Sequence, residues 1–214
     1  DECGICNGNN SSCTGCTDAD AYNYVDGNLI DDGSCIYSYS KSIIPGANLI
    51  SFWNLPDNKD IDNILGSCGF STNGIIGEGV AASRIGDGTW VGSLSEIDCA
   101  SGYWVLADYN CEITFLGNLC DNNYDLNIGA NLISFPFLDT ISISLAIPDN
   151  VESNFNGIIG SGVAASNLPP WVGSLQNLKG GEGYWVLINE PTSFSFEHPD
   201  SVIIVSPQLP NIRK

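Results

Sequence analysis

The side chains with the plainest capacity for chemistry lie near the front of the chain. Asp18, Asp20, Asn23, Asp26, Asp31 and Asp32 crowd into one segment bracketed by Cys16 and Cys35. Calcium takes six to eight oxygen ligands in flexible geometry, and carboxylates, an amide and turn carbonyls are that kind of donor. These six residues are therefore the expected calcium ligands. The spacing is not that of an EF-hand, because Tyr22 stands where a third ligand belongs and no Glu closes the loop. The competing reading is an acidic turn tied by its cysteines without a metal. Cys3-x2-Cys6 and Cys13-x2-Cys16 have the outline of a four-thiolate zinc site. Zinc pairs normally lie further apart, and thiolates oxidise outside the cell, so disulfides are the better reading.

A second set of candidates is aromatic. Trp90, Trp104, Trp171 and Trp185 could stack on sugar rings, with Asp87, Asn54 or Asn167 bonding the hydroxyls. The plainer alternative is that they anchor cores, since a buried Trp removes roughly 150–250 Å² from water. Signals for catalysis are weak, and no catalytic residue is assigned. His198 is the only histidine and sits in Glu197-His-Pro-Asp200, which reads as a turn. Glu78 becomes Ser161 in the repeat described next, so a glycosidase would need its second carboxylate elsewhere. Gly77-x-Gly79-x-x-Ala82 and Gly160-x-Gly162-x-x-Ala165 spell a dinucleotide fingerprint. That motif must open a helix, and Gly86, Gly88, Pro169 and Pro170 interrupt too soon. A tight turn between strands fits better. Asn9 and Asn10 head overlapping glycosylation sequons, meaningful only in a glycosylating host.

The elements that must position these residues occur twice. Asn73-Gly-Ile-Ile-Gly-Glu-Gly-Val-Ala-Ala-Ser83 returns as Asn156-Gly-Ile-Ile-Gly-Ser-Gly-Val-Ala-Ala-Ser166. Gly46–Phe52 returns at Gly129–Phe135, Trp90–Leu94 at Trp171–Leu175, and Gly102–Leu106 at Gly183–Leu187. A duplication of this kind sets the domain plan. Strands are expected at Leu49–Trp53, Gly74–Ile76, Val80–Ala82, Trp90–Leu94, Tyr103–Ala107 and Glu112–Leu116, and at their counterparts. Ile61, Ile64 and Leu65 predict a short helical turn in the first copy, and Pro148 is expected to end any helix in the second. The expected fold is all-β: two tandem homologous small β-sandwich or barrel-like domains behind a disulfide-stapled, irregular acidic head. The divisions are a head at 1–36, copy one at 37–120, copy two at 121–198, and a C-terminal strand and tail at 199–214.

Charge narrows the partners. Six Lys and Arg against 25 Asp and Glu give a formal charge of −19. Such a chain repels nucleic acid and anionic membranes, and no apolar run is long enough to span a bilayer. All nine cysteines fall within the first 120 residues, a density suited to an oxidising compartment. The odd number leaves at least one unpaired within the chain. Cys16 with Cys35, Cys68 with Cys99, and Cys111 with Cys120 are the expected disulfides. The chain shows no signal peptide, and Asp1 falls inside a cysteine-rich pattern, so a processed or excised segment of a secreted or cell-surface protein is expected.

Two stretches carry a resemblance. Gly15-Cys-Thr-Asp-(x)4-Asn23-Tyr24-(x)6-Asp31-Asp-Gly-Ser-Cys35 resembles the GCTD…NY…DDGSC module of large secreted and surface proteins of marine bacteria. Asp1-Glu-Cys-Gly-Ile-Cys-Asn-Gly-(x)4-Cys13 is similar to the spacers that accompany it, and the whole is loosely similar to the calcium-binding type 3 repeats of thrombospondins. Ala19 stands where that module usually has Pro. The repeated NLISF…GEGVAAS…WVGSL…GYWV pattern is similar to a β-rich domain of the same proteins, over nearly all of residues 44–198. The resemblance implies surface display or attachment, with no settled chemistry. The resulting expectation is a non-enzymatic extracellular protein for attachment, adhesion or assembly, such as a filament subunit. Self-association would use the head and the apolar strand Val202-Ile-Ile-Val205. The alternative is a carbohydrate-binding module with a glycan or cell-surface partner.

Overall fold

The structure, a computed structural model, describes residues 3–4 and 8–199. Strands make up 43% and helices 10%, so the protein is nearly all β, in antiparallel sheets of which none closes into a barrel. The first copy runs β1 (Tyr37–Ile43), β2 (Gly46–Ser51), β3 (Asn54–Leu55), α1 (Ile61–Leu65), a 3-10 turn (Gly66–Ser71), β4 (Thr72–Ile76), β5 (Ala81–Arg84), β6 (Trp90–Gly92), β7 (Gly102–Ala107) and β8 (Cys111–Leu119). The second runs β9 (Tyr124–Leu126), β10 (Gly129–Ile133), β11 (Thr140–Ser142), α2 (Ile143–Ala146), α3 (Asp149–Glu152), β12 (Phe155–Gly160), β13 (Val163–Asn167), β14 (Trp171–Gly173), β15 (Asn177–Lys179), β16 (Tyr184–Ile188) and β17 (Thr192–Phe194).

The duplication holds in the topology of the main sheets, although β3 has no counterpart strand in the second copy and the β11-β15 sheet is only a single bridge, Asp60 to Glu96, in the first. One five-stranded sheet has the order β2-β7-β4-β5-β6, and the other β10-β16-β12-β13-β14. Each carries a smaller sheet from the same copy, β1-β8-β3 in the first and β17-β9 in the second. β1 shows why: Tyr37, Tyr39 and Ile43 are buried while Ser38, Ser40 and Ser42 are exposed, the period-two pattern of a half-buried strand. It pairs with β8 from Tyr37↔Gly117 to Ile43↔Cys111. In α1 the expected apolar trio Ile61, Ile64 and Leu65 is buried. In copy two Pro148 does follow α2, but it also stands immediately before α3, where a proline needs no N–H partner. The Gly-x-Gly segments are hairpin turns. Gly79 and Gly162 sit at φ +70° and +72°, and the Gly77 N–H donates to the Val80 carbonyl at 2.9 Å. A strand follows in each case, which removes the dinucleotide reading.

Two apolar clusters form. The first gathers Phe52, Trp53, Ile75, Tyr103, Val105 and Ile113, and it also takes in Cys16 and Ala21, so the head packs onto the first copy. The second gathers Phe135, Phe155, Ile158, Tyr184, Phe194 and Phe196. Four disulfides link Cys3–Cys13, Cys16–Cys35, Cys68–Cys111 and Cys99–Cys120. Cys16–Cys35 is the expected pair. The pairing of Cys68 with Cys99 and of Cys111 with Cys120 is corrected. Cys68 lies in the 3-10 turn packed on β8, whose first residue is Cys111, and Cys120 follows the last residue of that strand. The zinc outline is replaced as well, since Cys3, Cys13 and Cys16 are in disulfides. Cys6 and the Val202–Val205 segment fall outside the described residues.

The copies meet through contacts made twice with roles exchanged. Ile50 bridges Glu182, and Ile133 bridges Ser101. The Ser51 N–H donates to Gly181 at 3.2 Å, and the Ser134 N–H donates to Ala100 at 2.9 Å. A Cβ on Gly102 would lie 2.8 Å from the Ile133 carbonyl oxygen, and one on Gly183 would lie 2.7 Å from that of Ile50. Since Ile50 corresponds to Ile133 and Gly102 to Gly183, this is a pseudo-two-fold, isologous contact. Its decoration is unsymmetrical. Lys41 pairs with Glu182 at 2.6 Å, and Glu78 accepts from the Leu132 N–H at 2.8 Å. Tyr124 with Ser101, and Ser161, hold the reciprocal places.

Candidate functional site

The acidic loop of the head uses several of its side chains to hold itself. Asp18 accepts from the Tyr37 hydroxyl at 2.6 Å and from the Asp20 N–H at 2.9 Å. The Tyr37 bond and then the backbone bond hold its carboxyl below the ordinary range. Burial, followed by the Asp18 bond, pushes the Tyr37 hydroxyl up to about 12. Asn23 is a clasp across the loop: its Oδ1 accepts from the Ile36 N–H at 2.8 Å and its Nδ2 donates to the Ser34 carbonyl at 2.6 Å. Asp31 and Asp32 accept from the Gly33 and Ser34 N–H groups, and the Ser34 contacts hold Asp32 below the ordinary carboxyl range. Asp20 and Asp26 are exposed. Among the described residues, no three of His, Cys, Asp and Glu gather into a group able to hold a metal ion.

The four recurring tryptophans fall into two classes set by strand register. Trp90 and Trp171 point inward and pack, partly buried, against the two cores. Trp104 and Trp185 lie on the outward faces of the five-stranded sheets. Trp104 is opposite Leu49 on β2 and Ile76 on β4. Leu106, two residues on, is opposite Ala47 and Gly74. The face continues through Ala81, Ser83 and Val91. The second copy repeats it residue for residue: Trp185 against Leu132 and Ile159, Leu187 against Ala130 and Gly157, then Ala164, Ser166 and Val172. None of these positions is charged. Ile76 and Ile159 are each 42% exposed, and Val91 and Val172 are 54% and 55% exposed.

Trp90 lines a pocket of about 560 Å³ with Asn58, Asp60, Asp62, Asn63 and Ser95. Its counterpart Trp171 donates its Nε1–H to Glu152 at 2.5 Å, a residue of α3 that copy one lacks. The Trp90 Nε1 is buried with no hydrogen-bond partner. Of the residues expected to bond sugar hydroxyls, Asn54 is wholly buried and donates to the Tyr37 carbonyl, which is a correction. Asn167 donates to the Glu152 carbonyl, and Asp87 accepts from the Thr89 N–H.

A concavity of about 770 Å³ lies where the head meets both copies. Tyr22, Trp53, Leu119, Phe137, Leu138 and His198 contribute to it. His198 Nε2 lies 3.0 Å from Asp139 Oδ2, and its ring meets Phe137 edge-on at 5.0 Å. This ring acts as a packing element at the end of the second copy. Sequence reasoning missed the concavity because its residues come from three distant segments. It missed the outward sheet faces because apolar residues occupy both sides of Tyr103-Trp104-Val105-Leu106. Compared with protein-family models, with curated proteins and with solved structures, the chain finds no match.

Proposed function

We propose that this chain is a non-enzymatic structural protein of the extracellular space, serving in surface attachment or assembly. The observation that carries this reading is the set of four disulfides confined to the head and first copy. Such bonds persist in oxidising compartments and hold small, loop-rich segments that lack enough apolar residues for a core. No helix among the described residues is long and apolar enough to cross a membrane. Calcium belongs to the same proposal, with Asp18, Asp20, Asp26, Asp31 and Asp32 as its carboxylate sources. The test is direct imaging of the native protein at its source, with and without reductant and chelator. Ordered, surface-associated material that loosens under both treatments is the expected result. A dispersed monomer indifferent to either would sink the proposal.

A second reading is favoured by the Trp90 pocket. A Trp edge amid carboxylates, amides and a hydroxyl is the chemistry of a neutral sugar site, and in copy two the corresponding indole N–H is already taken by Glu152. Titration with neutral oligosaccharides, followed by tryptophan fluorescence, tests it. A saturable change abolished by Asp60→Ala and Asn63→Ala together would support a lectin, and a flat titration would remove it.

A further inference from the structure

We propose that the outward faces of the two five-stranded sheets are self-association surfaces, each receiving the same face of a second copy of this chain. This deepens the assembly reading and rests on it. The first support is retention. The nine outward positions are identical in the two copies, from Leu49 and Leu132 to Val91 and Val172. The smaller sheets differ from this: on their exposed face Ser40, Ser42, Glu112 and Thr114 have become Asn123, Asp125, Ser193 and Ser195. The smaller sheets have diverged at buried positions as well, Ile43 and Ile113 becoming Leu126 and Phe194, while the apolar outward faces of the larger sheets have not changed.

The second support is charge. In a chain of formal charge −19, both faces are uncharged and centred on Trp104 and Trp185. A like-charged second copy can approach only where the contact itself brings no carboxylates together. The third is continuity with an interface that exists already. Leu49 and Leu132 belong to these faces and are 3% exposed, because each covers a glycine of the other copy. The same surface thus already packs against this chain's own kind of sheet. Two such faces make the molecule bivalent, and a bivalent unit that does not close on itself grows as a linear assembly.

The test is sedimentation velocity of the full chain across a range of concentration and salt. The wild type should associate, and more strongly as salt screens the net charge. Ile76→Lys with Val91→Lys disables one face and should cap assembly at dimers. Adding Ile159→Lys and Val172→Lys should leave monomers. These side chains are substantially solvated, and circular dichroism checks that the fold is kept. The milder Ile76→Ala with Ile159→Ala should weaken association by about tenfold, equivalent to 1.4 kcal/mol. Ser40→Lys with Ser193→Lys should change nothing. Association unaffected by the face variants overturns this inference alone. A wild type that stays monomeric at every salt concentration overturns the assembly reading with it. Binding of the faces to neutral polysaccharide by a monomeric wild type assigns them to a glycan instead.

Discussion

The Cys68–Cys111 disulfide of the first copy has a counterpart in the second that contains no sulfur. Val151 and Thr192 stand at the two cysteine positions, and Thr192 accepts from the Asn154 side chain at 3.0 Å. Around them, Thr72 has become Phe155 and Ile113 has become Phe194. Those two rings meet edge-on at 5.3 Å, and Phe194 also packs on Tyr124 and Phe196 at 5.5 and 4.9 Å. One topology is therefore held in two ways. A covalent tie limits the unfolded chain in the first copy, and added aromatic volume deepens the core in the second. The lesson is that a disulfide and a pair of phenyl rings can serve the same joint of a β fold.

Phe155→Ala strikes this comparison hardest. The residue is 1% exposed, and its loss should destabilise the second copy by about 3–5 kcal/mol. Hydrogen exchange should rise across β12, β16 and β17 while β4 and β7 stay protected; equal loss in both copies would mean that they do not fold separately. Replacing Cys68 and Cys111 with Ala should cost the first copy about 2–4 kcal/mol. Chemical denaturation of the oxidised variant would show it, and an unchanged midpoint would break the proposed equivalence. Gly102→Ala and Gly183→Ala each press a methyl group against a carbonyl of the other copy. Both should cost about 1–3 kcal/mol, and a large inequality between their thermal midpoints would refute the pseudo-symmetry. The finest contrast is between the inward tryptophans. Trp171→Phe loses a hydrogen bond to Glu152 and should cost about 1 kcal/mol more than Trp90→Phe, which loses none. Matched urea titrations of the two variants decide this.

The architecture was readable where the chain repeats itself or alternates locally. The duplicated Gly-x-Gly turns, the trio Ile61, Ile64 and Leu65, and the Cys16–Cys35 loop all follow from spacing alone. The Tyr37–Ile43 strand carries a period-two signal that was there to be read, though it lies outside the repeated blocks. Other features were not local. The partner of Cys68 depends on β8 returning beside the 3-10 turn, and the three downstream cysteines, Cys99, Cys111 and Cys120, are equal candidates by composition. Which tryptophans face outward depends on register, because a one-residue slip exchanges the faces of a strand that is apolar on both. Asn54 looked like a surface hydrogen-bonding group, but β3 pairs with β8 in the smaller sheet, where the Asn54 amide is buried and donates to the Tyr37 carbonyl of β1.

The reciprocal contact at Gly102 and Gly183 has one more consequence. Between separate molecules, such an isologous contact would weaken on dilution. Here only residues 120–123 separate β8 from β9, so the partner is always supplied at the high local concentration that a short tether imposes. The pairing of the two copies is therefore indifferent to how thinly the protein is spread. A molecule released into a large external volume keeps both sheets in fixed relation, with no second molecule required to complete it.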